Sequence, residues 1–333
     1  MNQIAFDQAG NLWVAEYSYG ADPLLKVSGF PSSLSSTSVI NNLGIPNAMA
    51  VDGNIASGQA AGNVWVFNAN DELYEVSSSG SAGLDSQFNF QALGAYGYYP
   101  YATVFDSAEN MWVTTKNTSN YPAVGDIVKA ASAPFPYSFG STPIFDGYSS
   151  GNGNANVGGG WAPPVADGSN NVYVCGDLSG TVVDTFTGAG KQSSFTPVSG
   201  LGCGNQMVLD GQGHLFAVTN TRNTNFPLYG SYLDEFTTSG LQIFPELDAS
   251  PGSSSAEPPT LAADPYFNGA VPGISAAMDA SGNLWVMNND TNGVNNSSVA
   301  TPVNVLVEYV GIGAPVVTPT SVALSNQALG ARP

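Results

Sequence analysis

The chain has 333 residues, and its 25 Asp and Glu residues against 6 Lys and Arg residues give a formal net charge of −19. Only 9% of the residues are charged, where soluble domains usually have about 25%. So few cations leave no basic patch to replace phosphate counterions, which excludes nucleic acid and disfavours an anionic membrane surface as partners. The polar surface must come from Asn, Ser, Thr, Gly and Gln, and such a surface suits an extracellular protein.

The first repeated unit begins close to the N-terminus. Residues 4–14 read Ile-Ala-Phe-Asp-Gln-Ala-Gly-Asn-Leu-Trp-Val. An apolar run ends at Asp7, and a second begins at Leu12. An Asp at the start of a tight turn can accept hydrogen bonds from backbone N–H groups just after it, and Gly supplies a positive φ. The stretch therefore predicts a strand, a tight turn and a second strand.

The same pattern recurs to give six copies along the chain. Each copy has one turn Asp: Asp7, Asp52, Asp106, Asp167, Asp210 and Asp279. In five copies an aromatic residue follows six positions later: Trp13, Trp112, Tyr173, Phe216 and Trp285. The second copy reaches Trp65 after an insertion at Gly53–Gly62. We expect the six Asp residues to cap their turns rather than to form a functional ring of charge.

Two more strand-like runs follow each pair. The third runs are Leu24–Val27, Glu72–Val76, Asp126–Lys129, Thr181–Phe186, Tyr232–Phe236 and Asn304–Tyr309. The fourth runs are Thr37–Ile40, Phe88–Ala92, Thr142–Phe145, Ser194–Pro197 and Leu241–Phe244. Four short strands repeated six times predict an all-β protein, a six-bladed β-propeller of four-stranded antiparallel blades.

The predicted propeller occupies residues 1–313. Its blades span about residues 1–45, 46–96, 97–148, 160–200, 203–247 and 272–313. The last blade lacks a fourth run, so we expect one from the C-terminal tail, residues 314–333, at Pro315–Leu324. Pro315 and Pro319 confine that run to a sheet edge. The tail is then either the outer strand of its own blade or a strand added to a neighbouring subunit.

The motif Asp-x-x-Gly-Asn-(Leu/Val/Met)-Trp-Val at blade spacing resembles the NHL-type six-bladed propellers, whose architecture the virginiamycin B lyase-like and gluconolactonase-like propellers share. The lyase-like relatives use a histidine in the central cavity as general base. The lactonase-like relatives hold a divalent ion there with a Glu, an Asn and an Asp. Here the single histidine, His214, takes the Asn place in the Asp210 turn, and the expected innermost strands contain no Glu. The sequence therefore predicts a protein that is not an enzyme, with a lyase or lactonase-like enzyme as the alternative.

Propeller topology puts the long loops on one face, here called the loop-bearing face, and the short Asp turns on the other, the turn face. Aromatic residues are frequent in the long loops, and they indicate a surface for a protein partner or a glycan. The alternative is that these rings only pack within their own loops. The expected binding residues are Tyr17, Tyr19, Tyr98, Tyr99, Tyr121, Trp161, Arg222, Phe226, Tyr229 and Tyr266.

We expect no cofactor except a structural calcium ion, because a hard cation needs several converging oxygen ligands. The candidate ligands are Glu16, Asp177 and Asp290, at the ends of second strands on the loop-bearing face. The two cysteines, Cys175 and Cys203, fall on the same rim of adjacent blades. Their spacing favours a disulfide, with two buried free thiols as the alternative.

The function expected from these features is a secreted, acidic protein that acts through protein–protein contacts. It would be either a self-assembling surface subunit that forms filaments or a binding module. Its partners would be proteins, itself included, or glycans, with no insertion into a membrane. The chain starts directly on the first strand, so we expect the precursor to carry a leader before Met1.

Overall fold

The structure is a computed structural model that describes residues 3–7, 9–15, 23–29, 33–52, 62–68, 70, 72–77, 79–80, 82–87, 99–116, 126–130, 145–146, 163–176, 182–187, 190–195, 206–221, 230–244, 275–290 and 303–314. Throughout these residues the regular structure is β-strand, which confirms the predicted all-β class. They contain no helix long and apolar enough to cross a membrane.

The described strands form six separate antiparallel sheets, each built from consecutive strands. The first sheet contains β1 (Gln3–Phe6), β2 (Leu12–Ala15), β3 (Leu24–Ser28) and β4 (Ser35–Ile40). The second contains β5 (Pro46–Val51), β6 (Val64–Asn68), β7 (Glu72–Val76) and β8 (Ala82–Gln87). The third contains β9 (Tyr99–Phe105), β10 (Met111–Lys116), β11 (Asp126–Ala130) and β12 (Phe145–Asp146).

The other three sheets follow the same order. The fourth contains β13 (Val165–Ala166), β14 (Val172–Gly176), β15 (Val182–Thr187) and β16 (Gly190–Phe195). The fifth contains β17 (Gln206–Leu209), β18 (His214–Thr221), β19 (Gly230–Thr237) and β20 (Gln242–Phe244). The sixth contains β21 (Ser275–Met278), β22 (Leu284–Asp290) and β23 (Val303–Tyr309). The predicted tail strand at Pro315–Leu324 lies outside the described residues.

The first strands of the six sheets are neighbours in space. In chain order β1, β5, β9, β13, β17 and β21 each contact the next, and β21 contacts β1. These inner strands therefore close a ring, with the later strands of each sheet running outward from it. The second strand β6 is buried throughout, whereas the outer strand β4 is mostly exposed.

The hydrophobic core lies between neighbouring sheets. Trp13 of the first sheet packs with Val64 and Val66 of the second, and Trp112 of the third packs with Val172 of the fourth. The repeated aromatic position supplies the largest of these side chains: Trp13, Trp65, Trp112, Tyr173, Phe216 and Trp285, all buried. This explains the repeated aromatic residue in the sequence, because each interface between sheets needs one large side chain to fill it.

The fourth strand of the second sheet is not where the sequence pattern put it. The predicted run was Phe88–Ala92, whereas β8 occupies Ala82–Gln87. The chain reverses at once after β7, with Gly80 donating its N–H to the carbonyl of Ser77 and having a φ of 94°. Ala82 then pairs with Val76, so the tight turn fixes the start of β8 ahead of the apolar residues that follow.

Candidate functional site

The loop-bearing end of the ring is defined by the starts of the inner strands. Uncharged polar residues stand there: Gln3 on β1, Asn47 on β5, Tyr101 on β9 and Ser275 on β21. Two of them join neighbouring sheets, since Gln3 Nε2 donates to the carbonyl of Asn47 and Ser275 Oγ accepts the N–H of Ile4 at 3.0 Å. These bonds hold the first, second and sixth sheets together at this end.

Tyr101 differs from the other residues of this end because burial raises the pKa of its hydroxyl above the ordinary value. The phenol therefore remains neutral at any physiological pH and keeps a proton to donate. Neutral donors and acceptors such as these suit hydroxylated or carbonyl-bearing molecules better than charged ones.

The inner strands, as far as the structure describes them, contain no Asp, Glu or His. They therefore do not supply the Glu and Asp that hold the ion of the lactonase-like relatives. Of the expected calcium ligands, Asp290 ends β22, opposite Val303 on β23. Glu16 and Asp177 lie outside the described residues.

Most of the expected binding surface also lies outside the described residues. Tyr99 is the exception, as the first residue of β9, where it pairs with Lys116 on β10. It therefore lies at the loop-bearing end, and its role in binding stays a prediction. The expected binding residues outside the described part are Tyr17, Tyr19, Tyr98, Tyr121, Trp161, Arg222, Phe226, Tyr229 and Tyr266.

On the turn face, Asp7, Asp106, Asp167, Asp210 and Asp279 cap their turns as predicted. Asp7 Oδ1 accepts the N–H groups of Ala9 and Asn11 at 3.0 and 2.8 Å, and its Oδ2 accepts the indole N–H of Trp13 at 2.9 Å. The turns of Asp106, Asp167 and Asp279 repeat this arrangement. In the fourth sheet Tyr173 replaces Trp, and burial raises its pKa to about 12, so the hydroxyl donates to Asp167.

The Asp210 turn of the fifth sheet departs from this pattern. Phe216 stands at the aromatic position and has no proton to donate, so Asp210 Oδ2 accepts instead the backbone N–H of Ala314 at 2.8 Å. Gly211 in turn donates its N–H to the carbonyl of Ala314 at 3.1 Å. The segment of residues 310–314, which follows the sixth sheet, is thereby attached to the fifth.

His214 lies in this turn, as predicted, but its two partners were not predicted. Its Nδ1 lies 2.9 Å from Glu235 Oε1 on β19 and 3.7 Å from Asp210 Oδ2. Burial raises the pKa of Glu235, an effect that the nearby His214 opposes. The third runs contained a sign of this contact. In three sheets they place a Glu opposite the repeated aromatic residue, at Glu235, Glu75 and Glu308.

Of the two cysteines in the predicted disulfide, the structure describes one. Cys175 lies on β14 and is buried in the core between the fourth and fifth sheets. Cys203 lies outside the described residues, so the bridge between them stays a prediction. The mass of the intact protein after alkylation without reductant tests it.

Comparisons with known proteins give the fold. No family model matches the chain, and no curated protein matches its sequence. A calcium-binding protein, regucalcin, from Agrobacterium tumefaciens matches with a TM-score of 0.54 at 13% identity, over 95% of this chain and 93% of that chain. A gluconolactonase from Xanthomonas campestris matches with a TM-score of 0.50 at 10% identity, over 85% of this chain and 81% of that chain. A virginiamycin B lyase from Staphylococcus aureus matches with a TM-score of 0.44 at 10% identity, over 92% and 83%.

The matches to regucalcin and the gluconolactonase confirm the predicted resemblance to propeller proteins, and with the closed ring of inner strands they define the chain as a β-propeller. They contradict the prediction that the protein is not an enzyme, because one of the solved structures with this fold is a gluconolactonase. The prediction went wrong by treating the missing channel His and Glu as excluding catalysis, whereas propellers place unrelated chemistries on one scaffold.

Proposed function

We propose that the protein is an enzyme that hydrolyses a lactone at the loop-bearing end of its ring. The observation that carries the proposal is the set of neutral polar residues at the starts of the inner strands, in a fold shared with a gluconolactonase. Gln3, Asn47 and Tyr101 are partly exposed and offer amide and hydroxyl groups that match the hydroxyls and carbonyl of a small sugar lactone. Ser275 is buried and holds the ring closed beside them.

The net charge of −19 supports a neutral substrate with an acidic product. A lactone carries no charge, so a strongly negative protein does not repel it. Hydrolysis produces a carboxylate, and the same field then favours its departure. The neutral hydroxyl of Tyr101 supplies a proton donor for the carbonyl oxygen as negative charge develops there.

A divalent ion is a separate question for this site. The described inner strands lack the carboxylates that the lactonase-like relatives use, so a calcium ion would depend on Glu16, Asp177 and Asp290 at the ends of second strands. No step of the proposed reaction is assigned to such an ion. Assaying the protein with and without a chelator tests whether its activity depends on such an ion.

The experiment is a lactonase assay with a panel of aldonolactones and simple γ- and δ-lactones, following acid release at constant pH. We expect hydrolysis above the spontaneous rate, and a loss of about 10²-fold in kcat for Tyr101→Phe, the range for removing one proton donor. His214→Asn, on the turn face, is the matched control and should keep full activity. Spontaneous rates across the panel, or an unaffected Tyr101→Phe, would rule the proposal out. Activity on a virginiamycin-type cyclic ester by elimination would favour the lyase alternative instead.

We further propose that the six sheets are six blades and that Pro315–Leu324 completes the sixth with a fourth strand. Support comes from β23, the outermost described strand of that sheet, and from Val310 just after it, which is 74% exposed. If a neighbouring subunit supplies the strand, the same edge supports self-assembly into filaments. Deleting residues 315–333 and measuring the mass by light scattering separates the cases. Dissociation of an oligomer supports exchange between subunits, and a destabilised monomer supports a strand within the chain.

An extracellular location remains part of the proposal. The few Lys and Arg residues and the Asn- and Ser-rich composition support it. Fractionation of the source cells, with the mature N-terminus sequenced, tests both secretion and the expected leader. Protein found inside the cells with no processing would contradict both.

A further inference from the structure

Three side chains of the fifth sheet converge on the turn face, and we call them the fifth-sheet cluster: Asp210, His214 and Glu235. His214 Nδ1 lies 2.9 Å from Glu235 Oε1 and 3.7 Å from Asp210 Oδ2. One ligand atom from each residue lies within 4.8 Å of the other two. Asp210 directly follows the end of the inner strand β17, whereas the loop-bearing end lies at the starts of the inner strands. The cluster is therefore on the face opposite the loop-bearing end.

We propose that the fifth-sheet cluster binds one divalent transition-metal ion, with Zn²⁺ as the best fit. Ligand bonds of 2.0–2.2 Å in tetrahedral geometry separate neighbouring ligand atoms by about 3.3–3.6 Å. The two distances from His214 Nδ1, 2.9 and 3.7 Å, lie on either side of that range. One imidazole and two carboxylates are ligands that zinc accepts, with water in the fourth position.

The ligand atoms have room for an ion. Asp210 Oδ1 accepts the N–H groups of Gln212 and His214, whereas Oδ2 accepts the N–H of Ala314 and has a second lone pair that can bind an ion. These bonds also fix the carboxylate in place, as supporting hydrogen bonds do around metal ligands. The side chains of Asp210 and Glu235 are 1% and 12% exposed and that of His214 is 26% exposed, which leaves an entry path beside the imidazole.

The other turns show why this one differs. In the second sheet Asn63 occupies the place of His214, and its Nδ2 donates to Glu75 Oε1 at 2.7 Å, which is the same contact made by an amide. An amide nitrogen cannot bind a metal ion, whereas an imidazole nitrogen can. The single histidine of the chain thus converts a structural hydrogen bond into a set of metal ligands with a surplus of negative charge.

An ion at this position would also act on the segment of residues 310–314. Asp210 would bind the ion and hold Ala314 at the same time, and Gly313 donates its N–H to the carbonyl of Gly282 in the sixth sheet at 3.0 Å. The packing is tight, because a Cβ on Gly282 would lie 2.2 Å from the Gly313 carbonyl oxygen. Metal binding should therefore raise the melting temperature of the whole chain.

The test uses the full chain without a polyhistidine tag, titrated with Zn²⁺ by calorimetry and with Co²⁺ by visible absorption. A background of Ca²⁺ occupies surface carboxylates, which prefer hard cations. We expect one Zn²⁺ per chain and an intense tetrahedral Co²⁺ band that Zn²⁺ removes. Absence of stoichiometric binding would overturn the proposal.

Two variants and a control make the test specific. His214→Asn restores the residue found in the other five turns and recreates the arrangement of Asn63 and Glu75, so it should fold and bind about 100-fold more weakly. Glu235→Gln should weaken binding at least about tenfold.

Gln212→Ala removes an exposed side chain of the same turn and should bind as the wild type does. Equal binding by His214→Asn would overturn the assignment. The result does not depend on lactonase activity.

Discussion

Asp279 Oδ2 accepts a hydrogen bond from the indole Nε1 of Trp285 at 3.0 Å, although six positions separate the two residues. The turn of residues 279–283 reverses the chain, so the second strand brings the indole back beside the carboxylate. The bond ties a turn on the surface to a ring that packs against Ile4 and Leu12 of the first sheet. One interaction thus stabilises both a turn and an interface between sheets.

Replacing Trp285 by Phe should lower the free energy of unfolding by about 1–2 kcal/mol, because a hydrogen bond to a partly exposed carboxylate is lost. Replacing it by Tyr should recover part of that loss, since Tyr173 makes the equivalent bond to Asp167 at 3.0 Å. Urea unfolding of the three proteins measures both effects. Equal stability of the Phe and Tyr variants would show that ring size, not the hydrogen bond, matters at this position.

The same pair predicts how stability depends on pH. Burial raises the pKa of Asp279, but the hydrogen bonds from Trp285, Asn283 and Ser281 outweigh it and hold the pKa below its ordinary value. The carboxylate therefore stabilises the fold above its unfolded pKa of about 3.9, and this contribution is lost as pH falls through the lower folded value. The stability difference between the wild type and Trp285→Phe should be larger at neutral pH than below the folded pKa.

A control for this pH effect is Val286→Ala, which removes buried apolar volume and no charge. Its cost, typically about 1–3 kcal/mol for a core truncation, should be nearly the same at both pH values. Urea midpoints at the two pH values compare the variants. A constant difference for Trp285→Phe would mean that Asp279 does not contribute through its ionisation.

Closure of the ring between the first and sixth sheets should depend on Ser275. Its Oγ accepts the N–H of Ile4, a bond across 271 positions that lies in a buried environment. Ser275→Ala leaves that N–H without its acceptor and should cost about 1–3 kcal/mol. Ser281→Ala, an exposed position, is the matched control and should cost less than about 0.5 kcal/mol. Thermal unfolding compares them, and an unaffected Ser275→Ala would argue that the inner strands close without this bond.

Glu109 is a position where a substitution should stabilise the protein. It has a φ of 61°, is 4% exposed, and its Oε1 has no hydrogen-bond partner within the described part of the chain. Gly occupies the corresponding place in four other turns, for example Gly10 and Gly282. Glu109→Gly removes both the backbone strain and the buried carboxylate, so we expect a gain of about 1 kcal/mol.

Asn170, with a φ of 64°, gives the contrasting case for this turn position. Its Oδ1 accepts bonds from Ser107 Oγ at 2.7 Å and from the N–H of Ala108 at 2.8 Å, which join the third and fourth sheets. Asn170→Gly should therefore destabilise the protein, although it relieves the same backbone strain at a positive φ. If both Gly variants were more stable than the wild type, the backbone angle alone would explain the effect.

Local features of this fold could be predicted from the sequence because they repeat at short range. The spacing between Asp279 and Trp285 predicted the strands and the turn. The six third runs all overlap observed strands, and β7 matches its run to the residue. The start of β8 was not predicted: the run was expected at Phe88–Ala92, whereas the strand begins at Ala82, directly after the turn of Ser77–Gly80. Short-range pattern therefore predicts elements better than it predicts where an outer strand begins.

Contacts that decide chemistry were much less predictable. His214 and Glu235 meet because β18 and β19 pair in the register that places Phe216 opposite Glu235. Nothing in the sequence marks the bond between Ala314 and Asp210, which spans 104 positions. The polar starts of the inner strands were not predicted either, because Gln3, Asn47 and Ser275 are uncharged and follow no motif in the sequence.

The bonds of Ala314 also determine how this protein would respond to mechanical force. A pull applied at residue 314 would load the hydrogen bonds to Asp210 and Gly211 before it reached β23. The load would thus be divided between the fifth and sixth sheets instead of peeling one strand from an edge, so this pair of bonds would act as a mechanical clamp.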